Sequence, residues 1–228
     1  MNSTTTTKLT AKLKQSGLSI LRNQLVGMSV VLLAIVVASQ IATKGNFLTP
    51  YNVTIIIRAM AFIGLVAIGQ SLVLLLGELD LSVGAIAGLS AVMGGKMMVE
   101  LGIDPFLSFL FAVLLGTLMG LINGTIITSL NLNALVVTIG MSGVYKGINL
   151  VITRGRAIVG IPDEILFLGQ GRLLGMPIPF VIMLIVIGLV LVVTKRTTFG
   201  RYIYAIGDSR DAAYILGIRV KLIRIATF

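Results

Sequence analysis

Six stretches of the 228-residue chain, over 25–42, 59–76, 83–99, 106–130, 135–152 and 178–193, run for 16 to 25 residues with almost no charge. Crossing roughly 30 Å of hydrocarbon takes about 20 residues of helix. An 18-residue helix reaches about 27 Å, so flanking residues or local thinning of the bilayer must cover the small shortfall. Buried helices of a soluble protein are the ordinary alternative, but six in succession with hardly a charge fit lipid far better. Backbone groups in lipid have to be paired within their own segment, so the stretches are expected as helices. The fold class that follows is all-α: a polytopic transmembrane bundle of about six spans.

Composition agrees. The chain is 57% apolar and 11% charged, whereas soluble domains run near a quarter charged. Cysteine, histidine and tryptophan are all missing, which excludes disulfides, thiol nucleophiles, zinc-finger spacing and histidine-based catalysis together. No cofactor, metal or catalytic site is expected. The net charge of +10 does not point to nucleic acid, because the cations cluster beside apolar stretches, as they do in membrane proteins.

Their distribution orients the bundle. Lys8, Lys12, Lys14 and Arg22 precede the first span without an acid, and Lys195, Arg196, Arg201, Arg210, Arg219, Lys221 and Arg224 follow the sixth. The positive-inside rule then places the N-terminus in the cytoplasm. Residues 1–24 read as a basic cytoplasmic tail and not a signal peptide, since the apolar segment behind them is too long for one. Residues 25–193 read as the six-span bundle and 194–224 as a cytoplasmic loop. The last four residues, 225–228, look like the entrance to a truncated seventh span.

Several glycines fall four apart within the spans: Gly84 with Gly88, Gly116 with Gly120 and Gly124, and Gly143 with Gly147. Small residues at that spacing let helices approach closely. Gly94 and Gly95 are expected to end the third span abruptly. In the fifth span Thr138, Ser142, Tyr145 and Asn149 fall on one stripe about 60° wide. That stripe could line an aqueous path for a polyhydroxylated solute, or bond neighbouring helices. Lys146 sits just off it and needs water or a partner.

After the second span comes Gly77, Glu78, Leu79, Asp80, Leu81, Ser82, Val83 and Gly84. Asp80 or Ser82 can cap the next helix, and Glu78 adds favourable charge there. This GELDLSVG segment, with Gly77, Asp80, Ser82 and Gly84 at its marked positions, resembles the "G-x-x-DLSVG" signature of permeases from the ribose and galactose class of bacterial ABC importers. Two more segments resemble that family in the same order. One runs from Asn133 through Thr138 and Gly140 to Tyr145, Lys146, Gly147 and the Thr153-Arg154-Gly155-Arg156 run. The other is GRYIYAIGDSRDAAYILGI over 200–218, with Asp208 and Ser209 in place of the family's Gly-Asn pair.

The third segment reads as a short amphipathic helix in its own right. Asp208 would cap it, Asp211 would lie in its first turn, Ala212, Ala213, Ile215 and Leu216 would form one apolar edge, and Gly217 would stop it. Such a helix could lie on lipid headgroups. The resemblance implies instead a coupling helix that docks on an ATPase subunit. It also implies the partners: two cytoplasmic ATP-binding subunits, a second permease copy or paralogue, an external solute-binding protein and membrane lipid. The implied function is import of a pentose, hexose or related solute across the bacterial plasma (inner) membrane, without bond chemistry. No P-loop is present: the Gly95-Lys96 pair lacks the leading glycine and the following Ser or Thr. Asp163 and Glu164 read as solvated loop charge. The competing classes are an ion-coupled secondary transporter, which favours carboxylates deep in its spans, and a structural membrane protein without transport.

Overall fold

The computed structural model describes residues 24–228; most of the basic tail over 1–24 lies outside the described residues. The chain divides into two compact units, Met1–Ile56 and Ile57–Phe228. Elements are numbered over the described residues.

The first unit holds α1 (Gln24–Ala42). In the turn that follows it, the positive φ of Lys44 (51°) redirects the chain. Gln40 fastens that turn, donating from Nε2 to the Gly45 carbonyl (3.1 Å) and accepting from the Leu48 N–H (2.9 Å). Met28, Leu33 and Ile41 are exposed, as expected of a helix built for lipid. Helix α2 (Pro50–Leu75) begins in this unit and continues into the second.

The second unit continues with α3 (Val83–Val99), α4 (Pro105–Ser129), α5 (Ala134–Thr153), α6 (Asp163–Gln170), strands β1 (Arg172–Leu173) and β2 (Met176–Pro177), and α7 (Ile178–Arg196). Three shorter helices close it: α8 (Thr198–Asp208), α9 (Arg210–Ile215) and α10 (Val220–Thr227). Among the described residues α2, α4, α5 and α7 are long and apolar enough to cross a membrane, and α1 and α3 are shorter apolar helices. The fold is therefore an all-α polytopic bundle, with its six apolar helices at the six expected stretches.

Local chemistry sets the helix ends. Asp104 caps α4 by accepting from the Phe106 and Leu107 N–H groups (2.9 and 3.0 Å), with Pro105 at the first helical position. Asn133 caps α5 through the Leu135 N–H (2.8 Å). Lys195 and Arg196 lie in the last turn of α7, where cations favour the helix dipole. Strands β1 and β2 form an antiparallel hairpin whose turn, Leu174 and Gly175, has positive φ at both residues, the backbone that matches strand twist in a two-residue turn.

Helices α3, α4 and α5 pack into one group around Ala85, Leu89, Met119 and Tyr145, and around Ile127, Ala134 and Val137. A third cluster joins Leu76 at the end of α2 to Ile203 and Ile206 of α8 and Ala213 of α9.

Two expectations need correcting. Gly94 and Gly95 do not end α3, which stays helical to Val99. They are buried, and a Cβ on them would meet Ala112 Cβ at 3.0 Å and Ile161 Cδ1 at 3.3 Å, so they admit α4 and the 156–162 segment close to the helix. Asp163 and Glu164 occupy the first turn of α6 and not an extended loop, a position favoured by the helix dipole. Residues 225–227 form the last part of α10, which lies against α4. Its close approach depends on Gly124, where a Cβ would come within 3.0 Å of Ile225 Cα.

The four-apart glycines divide accordingly. Gly116, Gly120 and Gly124 face neighbours, whereas a Cβ on Gly140, Gly143 or Gly147 would meet nothing within 4 Å. Lys146, beside the polar stripe on α5, is exposed.

Candidate functional site

The segment over 77–84 is held on both flanks. Gly77, with φ of 74°, ends α2 in a Schellman motif: its N–H donates to the Leu74 carbonyl (2.9 Å) and the Glu78 N–H to the Val73 carbonyl (3.1 Å). Gln70 of α2, its amide turned to satisfy both partners, donates to the Asp80 carbonyl (3.0 Å) and accepts from the Asp80 N–H (3.1 Å). The Leu81 N–H donates to Thr138 Oγ1 of α5 (3.1 Å).

From Asp80 a chain of hydrogen bonds runs into the bundle. Asp80 Oδ1 accepts from the Ser82 N–H (2.7 Å) and the Ser82 hydroxyl (2.6 Å). Ser82 Oγ accepts from Asn123 Nδ2 of α4 (2.8 Å), and Asn123 Oδ1 accepts from the Tyr145 hydroxyl of α5 (2.9 Å). Asp80, Ser82, Asn123 and Tyr145 are all buried. Each donor points toward the carboxylate, the arrangement in which successive hydrogen bonds polarise one another favourably. Ser82 occupies the N-cap position of α3 without a side-chain capping bond: its hydroxyl is taken by this chain, so neither it nor Asp80 caps α3 as the sequence suggested.

Glu78 also departs from its expected place at the helix terminus. Its Oε1 accepts from Arg210 Nη2 (2.6 Å) and from Arg224 Nε and Nη2 (2.7 and 2.5 Å). The Glu78 and Arg224 side chains are 3% and 7% exposed, and Arg210 is 47% exposed. A cavity of about 240 Å³ adjoins the triad, lined by Gly77, Glu78, Asn133, Arg210 and Arg224 among others.

The stripe on α5 turns inward. Thr138, Ser142 and Tyr145 are buried. Asn149 is half-buried beside Gly88 of α3, and its Oδ1 is buried without a hydrogen bond. Gly84 is exposed and faces open space.

In the third segment the cap shifts by one residue. Asp208 is the last residue of α8, and Ser209 caps α9 by accepting from the Ala212 N–H (3.3 Å). Asp211 is exposed in the first turn. Gly217 (φ 78°) closes α9, with its N–H on the Tyr214 carbonyl and the Ile218 N–H on the Ala213 carbonyl. Ala213 is 1% exposed within the cluster formed by Leu76, Ile203 and Ile206, while Ala212 and Leu216 point outward. The outer apolar face is therefore Tyr214, Ile215 and Leu216, each at least 75% exposed.

Sequence reasoning missed Gln70, Asn123, Arg210 and Arg224 as partners of the 77–84 segment. Asn123 alone carried a local signal, as an amide in the middle of a charge-free span.

A bundle of lipid-length helices, with a polar chain bonded across its interior, defines a polytopic membrane protein. The chain belongs to the family described as branched-chain amino acid transport system / permease component, which matches residues 52–228. It is 39% identical over 178 residues to the autoinducer 2 import system permease protein LsrC of Photorhabdus luminescens, covering 78% of this chain and 53% of that protein. It is 35% identical over 185 residues to the ribose import permease protein RbsC of Bacillus subtilis, covering 80% and 57%. It is 34% identical over 176 residues to the D-allose transport system permease protein AlsC of Escherichia coli, covering 77% and 54%. The chain thus spans about half the length of the curated relatives it matches. No solved structure matches it. Membership of this family makes it a multi-pass protein of the bacterial inner membrane.

Proposed function

We propose that the chain forms membrane-spanning structure of an ATP-driven importer for a monosaccharide, pentose or hexose, or a related polyhydroxylated solute. One observation carries this reading: permeases named for ribose, D-allose and autoinducer 2 import match more than three quarters of the chain. The proposed partners are two cytoplasmic ATP-binding subunits, a second permease copy or paralogue and an external solute-binding protein.

In this proposal the tail over 1–24 and the segment over 194–224 lie in the cytoplasm, following the charge asymmetry. Helix α9 is the docking element for the ATP-binding subunit, and its outward Tyr214, Ile215 and Leu216 support that role. Burial of Thr138 and Tyr145 favours interhelical bonding over path lining at those two positions. Asn149, with its free carbonyl oxygen, is the stronger path candidate, followed by Ser142. An ion-coupled transporter is less well supported, because the buried carboxylates Glu78 and Asp80 lie between α2 and α3 and are already engaged.

The test is uptake of labelled ribose, allose and fructose by membrane vesicles carrying the chain, with and without its cognate ATP-binding subunit. ATP-dependent uptake that requires the subunit supports the proposal. Uptake driven by an ion gradient without the subunit would replace it with the secondary-transporter reading.

A further inference from the structure

We propose that Glu78 is a positioning residue: its bonds to Arg210 and Arg224 make any displacement of α9 a displacement of the 77–82 loop and of the hydrogen-bonded chain leading to Tyr145. The proposal rests on the reading of α9 as the element that meets the ATP-binding subunit.

The geometry is that of a tether. Arg210 is the first residue of α9, and its guanidinium reaches Glu78, 132 residues earlier in the chain, at 2.6 Å. Arg224 of α10 holds the same carboxylate oxygen from its buried side. Such charge-assisted bonds are shorter and stronger than neutral ones. Arg224 anchors the carboxylate, which is 3% exposed, and Arg210 adds a charge-assisted bond to it, so a shift of α9 pulls on the loop through Arg210.

Two residues beyond Glu78, Asp80 orients Ser82, and Ser82 leads through Asn123 to Tyr145. Every link from Arg210 to Tyr145 is thus a covalent connection or a hydrogen bond of 2.9 Å or less. Glu78 acts through what it holds.

The test reconstitutes the full chain with its cognate ATP-binding and solute-binding subunits in proteoliposomes and reads sugar taken up per ATP hydrolysed. Arg210→Gln cuts the tether while keeping the buried Glu78 and Arg224 pair; we expect uptake per ATP to fall about tenfold, within the usual range of coupling between sites. Arg210→Lys is expected to recover most of the loss. The double variant Glu78→Gln with Arg224→Gln avoids leaving a lone buried charge and is expected to show the same loss, with no further fall when Arg210→Gln is added. Unchanged uptake per ATP in Arg210→Gln overturns the proposal. If the unaltered importer moves no sugar, the functional reading fails, and a spin label on Leu81→Cys decides the tether separately, since the chain has no native cysteine. A spectral shift on ATP addition that Arg210→Gln abolishes supports the tether. An equal response in both chains, or no response in either, overturns it.

Discussion

The hydroxyl of Tyr145 lies 2.9 Å from Asn123 Oδ1 and 3.1 Å from the Met119 carbonyl oxygen, so a single proton on α5 serves two acceptors on α4. Tyr145→Phe keeps the ring in its apolar cluster and removes that donor. We expect a loss of about 0.5–2 kcal/mol, seen as a lower Tm in detergent. Tyr202→Phe, at an exposed site, should leave Tm where it is.

The two sides of α9 separate by substitution. Ala213→Arg forces a guanidinium into the cluster of Leu76, Ile203 and Ile206, so it should destabilise the α8 and α9 region, by about 1–3 kcal/mol or more. Ile215→Glu changes a residue that is 83% exposed and should leave Tm unchanged while releasing the ATP-binding subunit in pull-down from detergent extracts. Retention of the subunit by Ile215→Glu would remove the docking role from this face.

Gly124→Val should expel α10 from α4. The added side chain meets Ile225 Cα and carbonyl oxygen at 3.0 and 3.2 Å from Cβ alone, and backbone cannot yield as a side-chain tip can. Limited trypsin digestion reports it, through faster cleavage at Arg219, Lys221 and Arg224 in the variant.

Sidedness follows from the proposed topology. Introduced thiols at Leu174 and Leu216, 92% and 76% exposed, should react with an impermeant reagent from opposite sides of the membrane in intact cells: Leu174 from outside, Leu216 after permeabilisation. Labelling of Leu216 from outside would reverse the orientation.

Much of this architecture can be read from sequence because lipid imposes a length and an absence of charge on each span. Partners distant in the chain are less legible. Glu78 looks like a helix-terminus acid from its neighbours alone, and nothing local reports that Arg210 and Arg224 come to rest on it. Ser209 and Asp208 are both good caps, so the choice between them depends on where α8 stops. Gly120 and Gly124 share their spacing with Gly143 and Gly147, yet only the first pair meets another backbone. Spacing records that a helix could be approached closely, and says nothing of whether a neighbour does so. Helix α10 escaped notice for a related reason: its cations, read as marking the cytoplasmic side, include one that is buried in an ion pair.

Along α5 the side carrying Gly140, Gly143 and Gly147 is a shallow trough bordered by Val136, Leu150 and Val151, each more than 60% exposed. Association in a bilayer gains little from expelling water and depends on how completely two surfaces touch. Flexible acyl chains fit a rigid trough less fully than a helix ridge can, and each unfilled spot forfeits dispersion contacts. Lipid therefore wets this strip of the molecule poorly, and a ridged helix laid along it would exchange a loose solvent for a close one.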